Sequence, residues 1–264
     1  MIVSVAAPVY TLSELRLGAY SALEGSAVSA SSEAVGFSAE NLIDGRPGTY
    51  WKAAAPAAKH TINFVLPEAR WVDYVALYSS DLAALGGSVV FSYSHDGVTF
   101  TTLGTFTPAG TAPMYLTVTP VFAARYRLEV HSPMKTPAIA VVYMGQEFRP
   151  ERGVCQGFTP PTLGGQPIVL TNNSLAGSWL GRAYRSRLPY EGSLDLEYIN
   201  PERARVAYKP LLERMVRAPF FLKWHGSAFP YEIAYCWLDK ADATLAYQKT
   251  NFMKTSLKFL GLVG

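Results

Sequence analysis

Glu191, Asp195 and Glu197 are the acids whose spacing comes nearest to a catalytic arrangement. On an extended strand Asp195 and Glu197 share one face. Paired carboxylates hydrolyse glycosidic bonds when one donates a proton and the other activates water or attacks. Acids alternating along a strand are more often its solvated side, so a glycosidase ranks behind the readings below. His60, His131 and His225 lack the spacing of metal ligands and read as solvated or hydrogen-bonded side chains. There is no Gly-x-Ser-x-Gly elbow, His-Glu-x-x-His pair, phosphate loop or Gly-x-Gly-x-x-Gly turn. Cys155 and Cys236 are too few for a disulfide framework and read as buried free thiols. No catalytic residue and no bound cofactor are expected; the chain reads as a non-enzyme.

The 264 residues suffice for one large domain or two ordinary ones. Hydrophobic residues make up 49% and charged residues 16%, which is ample for packed cores. With 21 Gly, 18 Pro and 16 Tyr, the composition favours strands and turns over long helices. The net charge of +3, without a dense basic run, argues against nucleic acid as a partner. Up to Met144 there are 8 Lys/Arg against 10 Asp/Glu, and from Gly145 onward 15 against 10. That shift suggests two units, residues 1–145 and 146–264. No apolar run is long enough to span a membrane. The N-terminus lacks the basic and apolar regions of a signal peptide. Synthesis in a cytoplasm is expected.

Strands are expected at His60–Leu66, Tyr74–Tyr78, Ser88–Ser94, Met114–Val118, Arg125–Val130 and Ala138–Tyr143. In the third of these, alternation puts Val89, Phe91 and Tyr93 on one face. Asp96-Gly97 reads as a tight turn, with the return strand starting at Val98–Phe100. Short strands separated by turn residues argue for a sandwich. A Pro/Gly-rich stretch, 158–167, reads as a linker or extended arm. Asn200 is an expected N-cap before Pro201 and Glu202, opening the one clear helix of the second half. Pro210 should kink or split it, and Pro219 should stop it. Around it, strands are expected at Ile168–Thr171, Ser193–Tyr198, Phe220–Trp224, Glu232–Leu238 and Ser256–Leu262. The fold class is therefore mainly β, a sandwich followed by a β-rich α+β unit with one main helix.

Four blocks in order carry a family resemblance. They are Ala39–Gly45 with Thr49 and Trp51; His60–Leu66 followed by Trp71–Leu77; Phe91–Phe100; and Ala124–Val130. Together they resemble a discoidin-like domain (factor 5/8 type C, galactose-binding-like). The resemblance implies a β-sandwich that binds sugars or lipid headgroups through loops at one end. Tyr50, Trp71, His95 and Asp96 lie in or near such loops, where core packing or turn chemistry is the competing role. Trp51 matches the family's buried anchor. The resemblance also implies a calcium ion beside the Asn41–Gly45 turn, for which Asp44 and Thr49 could supply two oxygens. Such an ion needs about six, and the last strand, Ile139–Gly145, has no acid. Capping of the turn is thus the favoured role of Asp44.

The run from Arg217 to Leu238, with the final strand, resembles the end of phage distal tail and tail-tip ring proteins. It implies a structural virion component, assembled in the host cytoplasm into a six-fold or three-fold homo-oligomeric ring. Other tail proteins would be partners, and host surface glycans would be ligands of the sandwich. Phe220, Phe221, Trp224, Phe229, Tyr231, Tyr235 and Trp237 could be core or subunit interface. The alternative is a carbohydrate-binding module attached to a degradative system.

Overall fold

The fold is described by a computed structural model over residues 13–108, 110–155, 157–164, 168–185, 190–239, 244–249 and 251–263. The first part holds β1 (Arg16–Gly18), β2 (Ala27–Ala30), a 3-10 stretch (Ala39–Ile43) and β3 (Trp51–Lys52). It continues with β4 (Ala57–Ser80), helix α1 (Leu82–Leu85), β5 (Ser88–Ser94), β6 (Thr101–Phe106), β7 (Met114–Lys135) and β8 (Ala138–Gly145). Then come β9 (Ile168–Asn173), β10 (Trp179–Arg185) and β11 (Tyr190–Ile199). Helices α2 (Pro201–Arg203) and α3 (Lys209–Arg217) follow, then β12 (Phe220–Lys223), β13 (Ile233–Leu238), β14 (Ala246–Lys249) and β15 (Phe252–Leu262). The fold is mainly β, with 51% strand against 11% helix.

A seven-stranded antiparallel sheet runs β3-β8-β4-β7-β5-β6, with β2 added to β4. It forms a sandwich because β4 and β7 are long enough to bend from one layer to the other. The segments expected as separate strands, His60–Leu66 with Tyr74–Tyr78 and Met114–Val118 with Arg125–Val130, are the ends of these two strands. What separates them is a bulge, not a turn. Between Val65↔Arg125 and Arg70↔Ala123 the register shifts, leaving residues 66–69 opposite Ala124. Pro67 fits there because a bulge tolerates a residue without an N–H donor. Ile62, Phe64, Val72, Val75 and Leu77, from both sides of the bulge, fill one core together with Trp51 and Phe91.

The Ser88–Ser94 strand has the expected bounds, but its alternation breaks. A register shift falls between Phe91 and Ser92, so Ser92 and Ser94 are buried and Tyr93 is half-buried. The return strand begins at Thr101, later than Val98–Phe100, because Asp96 accepts from the Val98 and Thr99 N–H groups and Ser94 from that of Gly97, which makes a longer turn.

The six-stranded sheet runs β1-β12-β13-β15-β11, with β14 added to β15. Strand β1, from the first unit expected from sequence, is thus hydrogen-bonded to β12. Strands β12 and β13 are buried on both faces. Phe220, Leu222, Ala234 and Cys236 point to a core shared with Leu211, Leu212 and Met215 of α3. Phe221, Ile233 and Tyr235 point the other way, onto Tyr74, Tyr115, Val141 and Tyr143 of the sandwich. The aromatic residues Phe220, Phe221 and Tyr235, candidates for a subunit interface, are therefore internal packing.

The helical segment follows the expected signals. The Asn200 side chain accepts from the N–H groups of Glu202 and Arg203. Between α2 and α3 the chain takes a π-helical turn, Ala204–Tyr208. This wider turn immediately precedes Pro210, whose ring would crowd a regular helix and which lacks a donor. The described part of the expected arm, residues 158–164, lies on its own sheet rather than reaching outward. Tyr190 donates to Thr159 O, Thr162 donates to Glu232, and Phe158 sits 5.7 Å from Trp224 between ring centroids. Residues 165–167 lie outside the described residues.

The contact between the two sheets is a layer of tyrosines with satisfied hydroxyls. Tyr74 donates to Tyr20 O (2.6 Å), Tyr143 to Pro219 O (3.2 Å) and Tyr235 to Gly45 O (2.7 Å). Gly18 of β1 sits directly on the stacked Tyr74–Tyr115 pair, where a Cβ would come within 2.7 Å of the Tyr74 ring. Buried tyrosines are stabilising when the ring is packed and the hydroxyl is paired. We expect Phe221→Ala to cost about 3–5 kcal/mol in urea unfolding, as a large cavity between layers does. Tyr235→Phe should cost only about 1 kcal/mol, the usual net worth of one hydrogen bond.

Candidate functional site

Two concave surfaces occur where the sandwich meets the second sheet. The first is a groove of about 420 Å³ whose lining includes Tyr20, Glu24, Trp71, Phe122, Gln146 and Arg214. Its floor comes from the bulge. Trp71 and Phe122 are direct cross-strand partners in β4 and β7. Their chain neighbours Val72 and Ala123 point into the core, so alternation sends both rings outward. The rings are 51% and 48% exposed, with centroids 5.3 Å apart. An exposed aromatic pair inside a groove is unusual, since large apolar side chains normally gain by burial.

The polar rim comes from elsewhere in the chain. Arg214, from α3, pairs with Glu24 and donates from Nε to Ala19 O at 3.1 Å. Burial pulls its guanidinium below the ordinary arginine value, and the coulombic effect of Tyr20 opposes this. Arg70 is held by Glu68 at 3.1 Å. The groove combines a flat apolar floor with fixed polar groups at its edges, an arrangement suited to a ligand with both apolar and hydroxyl surfaces.

The second surface is a cleft of about 470 Å³ between the β6–β7 connection and the β12–β13 connection. Met114, Tyr115, Pro230, Tyr231 and Ile233 line it, and Lys223 is its cationic residue. Burial lowers the Lys223 ammonium from its ordinary value, as does Arg16, while Glu147 and Glu14 act in the opposite sense.

Among residues singled out from sequence, Trp51 is fully buried and donates Nε1 to Ser32 O at 3.0 Å, the expected anchor role. Tyr50 stacks on Phe37 with centroids 4.7 Å apart. His60 is buried near Lys135 O, His131 lies 3.8 Å from Glu129, and His225 accepts from the Ala228 N–H. His95 is exposed and packs edge-on to Tyr93. Asp195 and Glu197 are half-buried on β11 beside Cys155. Desolvation raises the Cys155 thiol above its ordinary value, and the two acids add to that. Of the residues expected near ligand loops, only Trp71 enters a groove. Its partner Phe122 escaped notice because no residue pattern reveals which strand positions face each other across a bulge.

Asp44 and Thr49 are brought together, but on each other. Thr49 Oγ1 donates to Asp44 Oδ2, and Asp44 Oδ1 accepts from the Arg46 N–H at 2.7 Å. The nearby carbonyls are also engaged: Gly45 O by Tyr235, Arg46 O by Thr49, Tyr50 O by Asn41. One carboxylate with its neighbours already bonded does not fit a calcium ion, which requires about six free oxygens. Among the described residues no group of three His, Cys, Asp or Glu could hold a metal. Asp44 is a turn-capping residue here.

This geometry can be set beside known proteins. Residues 27–141 match the F5/8 type C domain. The match runs from β2 to the middle of β8 and leaves β1, the end of β8 and everything after it outside. Similar solved structures include a pectin-binding carbohydrate-binding module (21% identity, 46% of this chain and 89% of that one, TM-score 0.39). Another is chitosan-binding module 1 of a chitosanase/glucanase from Paenibacillus sp. IK-5 (21%, 48% and 99%, 0.41). A third is a CBM32 module from Clostridium perfringens in complex with GalNAc-β-1,3-galactose (17%, 47% and 97%, 0.41). No curated protein matches the chain. Within the F5/8 type C segment, the Asp96 turn lies apart from the groove lining.

Two outcomes check this description. Asp96 accepts from the N–H groups of Val98 and Thr99 and from Ser94, which hold its carboxyl below the usual range. Its folded value is depressed, so its contribution is complete above about pH 4 and lost as pH falls through that lower value. An NMR titration should place its midpoint below the ~3.9 of a free aspartate. Calcium should leave the melting temperature unchanged; a ligand at about 100 times its Kd would otherwise add about 2.7 kcal/mol.

Proposed function

We propose that the protein is a non-catalytic saccharide-binding protein whose F5/8 type C segment supplies the ligand surface. The observation that carries this reading is the Trp71–Phe122 pair, exposed on the floor of a groove rimmed by Arg214, Glu24 and Gln146. A pyranose ring has an apolar C–H face and a polar edge. The aromatic floor suits the first and the charged or amide rim suits the second. The rim depends on Arg214 of α3, so the sandwich and the helix packed on the second sheet both contribute to the ligand surface.

A second reading, homo-oligomeric assembly of the phage tail-tip kind, is favoured by one observation. Strands β9 and β10 form a two-stranded sheet paired with no other strand among the described residues, and Leu175, Trp179 and Leu180 on it are exposed. An isolated hairpin is marginal in water and gains from a covering partner. Phe220, Phe221 and Tyr235 of the aromatic cluster that first suggested an interface lend no support, being packed internally.

In a glycan array, we expect the intact protein to retain a subset of neutral saccharides. Trp71→Ala should abolish that retention while leaving the melting temperature within a few degrees, since the ring is half exposed. Retention unchanged by Trp71→Ala would remove this reading. Light scattering at high concentration decides the second: a closed oligomer supports it and a strict monomer rejects it.

A further inference from the structure

Strands β1 and β12 set Arg16 directly opposite Lys223. In such a pair both side chains stand on one face of the sheet, and like charges opposite each other are destabilising. Both residues are also largely buried, at 9% and 7% exposure. Arg16 is compensated. It pairs with Glu147 at 3.3 Å and Glu14 at 3.6 Å, and donates to Ser13 O at 2.8 Å. Glu147 is in turn taken up by Arg149, Tyr115 and Thr117. Lys223 has no such partner: among the described residues no carboxylate lies within ion-pair distance and no acceptor takes its hydrogen bond. Its Nζ lies 5.8 Å from the centroid of the Tyr115 ring. Buried charges are normally paired, because desolvation is costly otherwise.

This ammonium, without a direct ion-pair partner among the described residues, lines the second cleft. The walls there are apolar, and Tyr231 at the rim is 87% exposed. We propose that this cleft binds a carboxylate-bearing sugar, a uronate, with its carboxylate on Lys223 and its ring face on Tyr231. A uronate carries a carboxylate on a ring with an apolar face, which matches the lone cation and the aromatic wall together. The ion pair formed would be charge-assisted and largely desolvated, where it is stronger than in water. Lys223 and Tyr231 both lie outside residues 27–141, the opposite wall comes from the β6–β7 connection within them, and no residue lining the cleft also lines the Trp71 groove. The site therefore does not rest on the Trp71 groove binding anything.

The test is calorimetric titration of the intact protein with trigalacturonate, with galactotriose as the neutral comparison. Wild type should bind trigalacturonate and not galactotriose at this cleft. Lys223→Met, an unbranched apolar side chain one atom shorter, should raise Kd at least about tenfold, roughly 1.4 kcal/mol. Its melting temperature should hold or rise, since an unpaired buried charge is removed. Tyr231→Ala, at an exposed position that folding does not need, should also weaken binding. Trp71→Ala should leave it intact, which separates this site from the groove. No binding by wild type, equal binding of galactotriose by the Trp71→Ala variant, an unchanged Kd in Lys223→Met, or equal binding of a short peptide through its terminal carboxylate would overturn the proposal.

Discussion

The structure depends on how tyrosines seal the contact between the two sheets. Tyr74, Tyr115 and Tyr143 cover one side and Phe221 and Tyr235 the other, with Ile233 beside them. A tyrosine buried there must place a large ring and satisfy a hydroxyl at the same time. The hydroxyls do so by crossing the contact: Tyr143 and Tyr74 reach out of the sandwich, and Tyr235 reaches into its Asp44-Gly45 turn. Each bond fixes a piece of backbone that has little regular structure of its own. The Tyr20 segment, the Pro219 connection and the Gly45 turn are all held this way. The Gly45 bond also explains how the turn is ordered by its own hydrogen bonds and by Tyr235, with no ion required.

Both concave surfaces follow from that contact. The groove takes its floor from the sandwich bulge and its rim from Arg214 of α3. The cleft takes one wall from the β6–β7 connection and the other from β12 and the Pro230–Tyr231 segment. Two curved sheets meeting over a flat tyrosine layer leave space where they diverge, and loops from each then line it. A site of this kind is shaped by the pairing of the two halves, whatever each half resembles alone.

Much of the architecture was legible in the residues. The alternation of Val89 and Phe91 marked β5, and the Asn200-Pro201-Glu202 start marked the helix, because these signals are local. The four discoidin-like blocks pointed to the sandwich, and the F5/8 type C match covers them. What escaped were relations between distant positions. The joining of two expected strands into β4 depends on a bulge that Pro67 permits but does not announce. The aromatic density of residues 217–238 was visible, yet its cause, a sheet buried on both faces, required knowing that the sandwich lies against it. Trp71 was visible as a candidate, but Phe122, Arg214 and Lys223 were not. Their roles arise from cross-strand register and from a helix that reaches over the groove, and neither is encoded in nearby sequence.

The most direct measurement of the central idea, a ligand surface built jointly by the sandwich and helix α3, is NMR mapping of the intact protein during titration with a neutral saccharide retained on the array. The Trp71 indole and the Arg214 side-chain resonances are expected to shift together, with the same midpoint. Shifts confined to the 95–100 turn, or shifts of Trp71 without any at Arg214, would contradict it.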